Sequence, residues 1–513
     1  MICVTIGCGS HKRMIEEHQK LAADGVRFVE LRLDYLRKKP ELHRLLPERP
    51  TAVLATARRK EDGGQWRESE EARLGLLREL IVSGVEYIDL EVDVAPKIPR
   101  FGKTKRVVSY HNMKETPEDL DGLRQKMLAE CDPDIIKIAV TPKCIGDVFR
   151  MVDFLRRANA PERIQAGEPK TLGISMTEFG WFTRVLGKRF GCPYTYAGFS
   201  EKRILAPGLL PYKTLRDLYR YDEIDAETKI FGVIADPVQH SLSPAIHNRS
   251  YVEMGLNCAY VPFRVAPEDL DEFIDRAPEI GVCGLSVTIP HKVEVIKKLD
   301  GFVDPAVSAT GACNTVVWGP DGRLNGYNTD YLASLLSIET AMGRKVGAPS
   351  PLQGASAMVL GAGGAAQAVA RGLKDRGARV IIAARSEEKG REAAKRLGCE
   401  FCSWQDRGAY VVQVLANCTS VGMFPNVDES PMEQQMLRAG TVVFDAVYNP
   451  ETTYLLRMAR QRGCKTVSGV EMFVGQACLQ YKLFTGEKAS GSFMRSVVRG
   501  AMSAARTNVE ETK

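Results

Sequence analysis

The stretch Ser356-AMVLGAGGAAQAVARGL-Lys374 decides how this chain is read. An apolar run enters a glycine loop and leaves it through a segment of small residues at helical spacing. Gly361 and Gly363 allow a tight turn and close backbone approach to a pyrophosphate, and Ala366 takes the third small position. The helix that follows points its N-terminal amides at the phosphates. The next run, 380–386, ends in Arg385-Ser386 with no carboxylate where a ribose hydroxyl needs one. An arginine there suits a 2′-phosphate, so the expected cofactor is NADP (NADPH). Everything upstream of this late nucleotide loop must have another job.

With 513 residues, the chain is long enough for two or three domains, each burying its own core. A composition of 44% hydrophobic and 26% charged residues excludes a disordered protein. The net charge of +6 is too small to imply nucleic acid but fits anionic metabolites. Four tryptophans without interleaved basic residues point the same way. Among 13 scattered cysteines, Cys399 and Cys402 form a close pair with no second pair or histidine at zinc spacing. Unpaired thiols in a reducing compartment follow, with no metal expected. No apolar stretch reaches the ~18 residues of a membrane helix, and MICVTIG at the start reads as a strand. The expectation is a cytoplasmic protein with no membrane and no nucleic-acid partner. The oligomeric state, including a homo-oligomer, stays open.

The first half repeats a short β-branched run, a loop and a helical stretch. The runs fall at 2–7, 28–34, 51–58, 87–93, 106–111, 135–140, 171–176 and 194–198. Such a series is what an α/β protein with a closed (β/α)8 TIM barrel requires. Glu30, Arg32, Arg58, Asp89, Glu91, His111, Lys137 and Arg184 sit near the C-terminal ends of these runs, which converge on one mouth in a barrel. An open sheet with solvated charges is the blander reading. A polar stretch at 219–228 then precedes a fresh strand, Lys229-IFGVIADP. The expected domains are 1–222, a barrel; 229–335, a mixed βα subdomain; and 336–505, a Rossmann NADP-binding subdomain whose closing helices pack back on the one before it.

Three motifs precede the glycine loop. In Asp236-PVQHSLSPAIHN, Ser241 and Ser243 can bind a carboxylate without adding charge. In Gly284-LSVTIPHK, a strand delivers Thr288 and then Lys292 past a turn-forming proline. Gly311-ACNTVV and Leu324-NGYNTD offer Asn314, Asn328 and Asp330. A hydride donated to a ketone needs a proton for the developing alkoxide, which a lysine oriented by an aspartate can supply. Each motif alone is unremarkable. In this order, with NCTSVGM at 417–423, Tyr448-NPETTYLL and Gly469-VEMFVGQA, they resemble shikimate dehydrogenase over roughly 230–500. The resemblance implies that Ser241, Ser243, Thr288, Asn314, Asp330 and Gln476 hold the substrate, with Tyr448 near the join of the two sites. It makes Lys292 and Asp330 the catalytic pair. It assigns Gly361, Ala362, Gly363, Gly364, Ala365, Arg385, Ser386, Thr419, Met423 and Gly469 to the cofactor. Ser286 and Ala384 stand where many members carry Asn.

In the first half, Lys137 lies within the apolar run Ile135-IKIAV. Burying an ammonium is costly, so an inward lysine tends to lose its proton and become a nucleophile toward a ketone. An outward or rim lysine paired with a carboxylate is the ordinary alternative. His111 ends the preceding run and can act as base and acid near neutrality. With Glu30-LRLD, Thr56-AR, Asp62-GG, Ile88-DLE, Ser109-YHN, Ile174-SM, Arg184 and Ala206-PG, these residues resemble type I 3-dehydroquinate dehydratase. That likeness implies a Lys137 Schiff base, His111 as general acid and base, Glu30, Arg32 and Arg58 on hydroxyls, Arg184 on the carboxylate and Met176 as apolar wall. Asp62 replaces a Glu that helps orient the histidine, and Leu205-Ala-Pro-Gly-Leu209 replaces a Ser-Ala-Pro-Gly-Gln pattern. Each lost hydrogen bond costs ~1–3 kcal/mol, about ten- to hundredfold in rate or affinity.

Taken together, the expected protein is a bifunctional shikimate-pathway enzyme for aromatic amino acid biosynthesis. It dehydrates 3-dehydroquinate to 3-dehydroshikimate and reduces that to shikimate with NADPH. Two other readings are a quinate/shikimate dehydrogenase with a weakened dehydratase half, which Leu205 and Leu209 favour, and a metabolite-sensing regulator. Lys137, His111, Lys292 and Asp330 are all retained, which argues against the sensor.

Overall fold

The structure is a computed structural model that describes residues 1–200, 203–238, 241–345 and 347–510, with side chains to residue 502. Its first eight strands are β1 (Ile2–Ile6), β2 (Phe28–Arg32), β3 (Ala52–Thr56), β4 (Tyr87–Glu91), β5 (Lys105–Asn112), β6 (Ile135–Val140), β7 (Lys170–Ser175) and β8 (Thr195–Gly198). They form one sheet in chain order, with β8 paired to β1. Every described pairing is parallel. Among the described residues β7 and β8 share no ladder. There the short helix Trp181–Val185 lies against both strands. Parallel strands covered by helices are buried on both faces, which is why these runs are so rich in Val, Ile and Leu.

Register sets the layers inside the ring. Ser109 on β5 is level with Lys137 on β6, and His111 with Ala139 one inward step higher. Glu91 on β4 is level with Ser109. Alternation therefore points Lys137 and Ala139 inward, while Ile136 and Ile138 face the helices.

Two further sheets follow. β9 (Lys229–Ala235), β10 (Cys258–Arg264), β11 (Val282–Val287), β12 (Thr315–Trp318) and β13 (Leu324–Tyr327) are ordered 10-9-11-12-13. β9 and β11 run parallel, whereas β12 is antiparallel to both of its neighbours. β14 (Ser356–Leu360), β15 (Arg379–Ala384), β16 (Glu400–Ser403), β17 (Val414–Asn417), β18 (Val442–Asp445) and β19 (Lys465–Val467) form a parallel sheet ordered 16-15-14-17-18-19. The order reverses at β14 and β17, the switch point where a doubly wound sheet binds its ligand. Val359 and Ile382 pack into a core on one face of this sheet, and Met358, Leu360 and Ile381 into another on the opposite face.

The chain forms two compact units. One comprises Met1–Lys229 with Asp236–Val238 and Val261–Ile280; the other comprises Ile230–Ala235, Gln239–Tyr260 and Gly281–Lys513. No helix among the described residues is long and apolar enough to cross a membrane.

Candidate active sites

One cavity at the barrel mouth gathers the barrel residues given a site role by the sequence, whereas Asp89 and Glu91 do not line it. Glu30, Arg32, Arg58, Asp62, His111 and Lys137 line it, and so do Met176, Arg184 and both leucines of the covering segment, Leu205 and Leu209. β6 delivers Lys137 to its floor, and the side chain is buried. The Lys137 Nζ donates to Asp89 Oδ2 at 3.2 Å and lies 4.4 Å from the centre of the Tyr196 ring.

Asp89 is shared. Arg58 Nη2 contacts the same Oδ2 at 2.7 Å, and Ser109 Oγ donates to Oδ1 at 2.6 Å. Burial opposes ionisation of Asp89, but Arg58 and Lys137 outweigh it and hold the carboxyl well below its usual range. For Lys137, burial lowers the pKa; Asp89 opposes the shift and Arg58 adds to it, leaving the amine below an ordinary lysine. Burial, then the charges of Arg58 and Lys137, push His111 well below an ordinary histidine. Its Nδ1 is 3.3 Å from Arg58 Nη1. The site thus shifts both groups toward the uncharged amine and imidazole, the forms able to attack a ketone and accept a proton.

Arg184 adds the feature that most calls for a ligand. Its guanidinium is buried, its Nε has no hydrogen-bond partner, and Nη2 reaches only the Pro207 carbonyl at 3.3 Å. Burial lowers it to about 10. A buried cation of this kind is costly unless an anion arrives to pair with it. Arg32 differs, being held bidentately by Asp34 at 2.9 and 2.7 Å. Glu30 accepts from Thr56 Oγ1 at 2.9 Å. Asp62 reaches the cavity wall but turns its carboxylate to Arg59, at 2.9 Å from Nε and 2.8 Å from Nη2, rather than to His111. Its short side chain meets the guanidinium fork first.

The second set of residues surrounds β11 and β12. Lys292 Nζ donates to Asp330 Oδ2 at 2.7 Å, and both side chains keep some contact with solvent. Asp330 opens the helix Thr329–Met342, capped by Asn328, whose Oδ1 accepts from Tyr331 N at 3.2 Å. Asn314 secures the same turn: its Oδ1 accepts from Thr329 N at 2.8 Å and its Nδ2 donates to Thr329 Oγ1 at 2.9 Å. The Lys292 carbonyl takes the Cys313 N–H at 2.8 Å, so lysine and aspartate are fixed through one short stretch. Ser243 N–H donates to Ser241 Oγ at 3.3 Å, and the half-buried Thr288 follows β11. Gln476 lies on the helix Gly469–Thr485, where Phe473 stacks on Tyr448 with ring centres 5.0 Å apart.

At the switch point Gly361 has φ +114°, and a Cβ there would sit 3.1 Å from the Cys418 carbonyl oxygen. Gly363 and Gly364 are exposed above the helix Gly364–Asp375, with open space where a Cβ would be. Ala362 and Ala365 flank them. This is a cradle into which a phosphate fits. Arg385 extends into solvent after β15, and no described carboxylate pairs with it. Ser386 caps the next helix, its Oγ accepting from Lys389 N at 3.5 Å. Thr419 Oγ1 donates to Asn417 Oδ1 at 2.7 Å, Met423 is exposed, and Gly469 packs where a Cβ would be 2.4 Å from the Val447 carbonyl oxygen. These residues fit a dinucleotide bearing an extra phosphate.

Some participants escaped the sequence reading. Asp89 was visible only as a charge near the mouth; its part as the counterion of Lys137 depends on register. Gln480 was missed altogether. It accepts from Ser286 Oγ at 2.9 Å and donates to Thr315 Oγ1 at 2.9 Å, and Tyr260 donates to Ser286 at 2.6 Å. Its position one helical turn after Gln476 is the signal that could have found it.

Comparison with known proteins assigns both halves. Residues 2–226 match the family model described as type I 3-dehydroquinase, 233–316 that of the shikimate dehydrogenase substrate binding domain, and 469–499 that of the shikimate 5′-dehydrogenase C-terminal domain. The chain is 38% identical over 508 residues to a bifunctional 3-dehydroquinate dehydratase/shikimate dehydrogenase, chloroplastic, of Arabidopsis thaliana, covering 95% of this chain and 82% of that protein. It is 38% identical over 288 residues to a shikimate dehydrogenase (NADP(+)) of Caldanaerobacter subterraneus, covering 55% of this chain and 100% of that one. A solved shikimate dehydrogenase in complex with NADP+ superposes with a TM-score of 0.51 at 36% identity, covering 54% of this chain and 97% of that one.

Proposed function

Because this chain belongs to the family of bifunctional type I 3-dehydroquinate dehydratase/shikimate dehydrogenases, we propose that Lys137 and His111 carry the dehydration in the barrel and that Lys292 and Asp330 carry the reduction of its product. The protein is a lyase and an NADP-dependent oxidoreductase acting on shikimate-pathway intermediates. The observation that carries the barrel assignment is the low-pKa amine of Lys137 in one cavity with the incompletely paired guanidinium of Arg184.

In the dehydratase, Arg184 takes the carboxylate while Glu30, Arg32 and Arg58 hold hydroxyls and Met176 forms the apolar wall. The neutral Lys137 amine adds to the ketone carbon, forming a C–N bond, and the carbonyl oxygen leaves as water. His111 removes a proton from the carbon adjacent to the resulting iminium; the C–H electron pair forms a C=C bond and the C=N π pair moves to nitrogen, giving an enamine. The enamine expels the β-hydroxyl, which leaves as water with the proton His111 had taken. Hydrolysis then releases the enone and the free amine. Asp62 is committed to Arg59 and makes no hydrogen bond to His111 among the described residues.

In the reductase, Ser241, Ser243, Thr288, Asn314 and Gln476 hold the carboxylate and hydroxyls, with Tyr448 beside the join. Asn314 keeps one N–H to give after bracing the Asp330 turn. Lys292 supplies a proton to the ketone oxygen, and Asp330 fixes its direction at 2.7 Å. NADPH, when bound, supplies the hydride. Gly361, Ala362, Gly363, Gly364 and Ala365 would cradle its pyrophosphate, and Arg385 and Ser386 would take the 2′-phosphate. Thr419, Met423 and Gly469 would also contact the cofactor.

A second reading, a quinate/shikimate dehydrogenase with a weakened dehydratase, draws on Leu205 and Leu209, which put hydrocarbon on the cavity wall. We assign 1–222, 229–335 and 336–505 as domains and place the protein in the cytoplasm, consistent with 13 free cysteines. A coupled assay tests the assignment: dehydroquinate and NADPH are supplied together and cofactor oxidation is followed, with NADH in parallel. NADPH oxidation dependent on dehydroquinate, and much faster than with NADH, is expected. Oxidation that begins only when dehydroshikimate is added would favour the second reading.

A further inference from the structure

The barrel half holds another concave site that none of the chemistry above uses. The helix His11–Ala23 begins beside the segment that follows β2. Between them is a cleft of about 470 Å³ lined by His11, Lys12, Arg13, Arg37, Lys38 and Arg44, with no carboxylate in its wall. Arg13 Nε donates to Glu17 Oε1 at 3.1 Å, Arg44 Nη1 donates to Glu41 Oε2 at 3.1 Å, and Lys12 Nζ is 3.9 Å from Glu16. Arg37 and Lys38 have no carboxylate partner among the described residues.

A group of surface cations is ordinarily just solvated. His11 sets this one apart. It is 4% exposed, and its Nε2 accepts the Glu41 N–H at 2.9 Å. With Nε2 accepting, the neutral ring carries its proton on Nδ1. Burial lowers the pKa of this histidine, so the neutral form is the one present. The Nδ1–H has no acceptor among the described residues, and the ring lines the cleft. The donor opens onto the cleft, where an acceptor from outside can reach it. The first-turn amides of the same 13-residue helix add partial positive charge, since Ser10 Oγ engages only Arg13 N, and at 3.4 Å.

We propose that this cleft binds a phosphate-type oxyanion, either inorganic phosphate or a phosphomonoester, at a site separate from the barrel mouth. A tetrahedral dianion offers several acceptor oxygens to donors that converge from different directions: the His11 N–H, the helix start, Arg37 and Lys38. The site is also connected to the dehydratase. Glu17 pairs with both Arg13 of the cleft and Arg203 of the covering segment, and Leu205 of that segment packs on Gly7 of the same turn.

Titration of inorganic phosphate, and separately of glycerol 3-phosphate, into the full-length protein tests this by calorimetry at constant ionic strength. Saturable binding of at least one anion is expected; which one binds identifies the source. The R37S/K38S variant, altered at two exposed side chains, should weaken it roughly tenfold or more, with circular dichroism unchanged. R184A and R385S, which each remove a cation from another anion-handling region, should leave it unchanged. No saturable binding by either anion would overturn the proposal. So would binding that survives R37S/K38S, or binding lost in R184A or R385S instead.

Discussion

Lys137 with Asp89 and Lys292 with Asp330 are the same pair of residue types in different surroundings. The first is buried at 3.2 Å, and its carboxylate is contested by Arg58 at 2.7 Å. The second sits at 2.7 Å with a carboxylate of its own and retains contact with water. Desolvation and a rival cation disfavour an ammonium in the barrel, leaving an amine that can form a bond to carbon. Lys292 keeps some contact with solvent and a counterion that it does not share, the setting of the proposed proton donor. On the roles proposed above, what separates nucleophile from acid is the environment of the pair, not the pair.

The comparison breaks most visibly on removing each lysine. Lys137→Ala should lower dehydratase turnover by about 10⁴-fold or more while leaving reduction of dehydroshikimate intact. Lys292→Ala should do the reverse, cutting reduction by about 10²–10⁴-fold. The two half-reactions, assayed separately on each variant, check this. A loss of both activities in either variant would mean that the halves are not independent.

Stability should sharpen the same contrast with a smaller effect. Asp89→Asn strands Lys137 and Arg58 without their shared charge and should cost about 3–5 kcal/mol. Asp330→Asn loosens a partly solvated pair and should cost about 0–1 kcal/mol. Urea midpoints of the two variants at neutral pH compare them directly. Because the folded pKa of Asp89 is depressed, its contribution is present at neutral pH and is lost as acid takes the pH down through its folded value. The penalty in Asp89→Asn should therefore shrink at low pH.

Much of this arrangement could be read beforehand. The barrel strands are legible because burial on both faces leaves uninterrupted β-branched runs, and Lys137 stands out as a charge within one of them. The run expected to reach residue 34 stops at Arg32, because Leu33–Tyr35 turns into a short 3₁₀ segment. The unladdered seam between β7 and β8 was not legible, since no local pattern records which strands fail to pair. Nor was Asp62's preference for Arg59, which depends on side-chain reach. The buried carboxylate of Asp445 is the clearest omission. Burial raises it to about 6 although Thr453, Val447 N and Asn417 all donate to it. Asn417 and Asp445 meet only because β17 and β18 pair in that register, and spacing along the chain does not reveal it.

Borohydride trapping with dehydroquinate, read by intact mass and peptide mapping across pH 6–9, tests the central claim most directly. A single substrate-derived adduct on the Lys137 peptide is predicted, absent in Lys137→Ala. Its rate should rise with pH and level off below the ordinary lysine pKa of about 10.4. An unmodified protein, or an adduct on any other lysine, would contradict it.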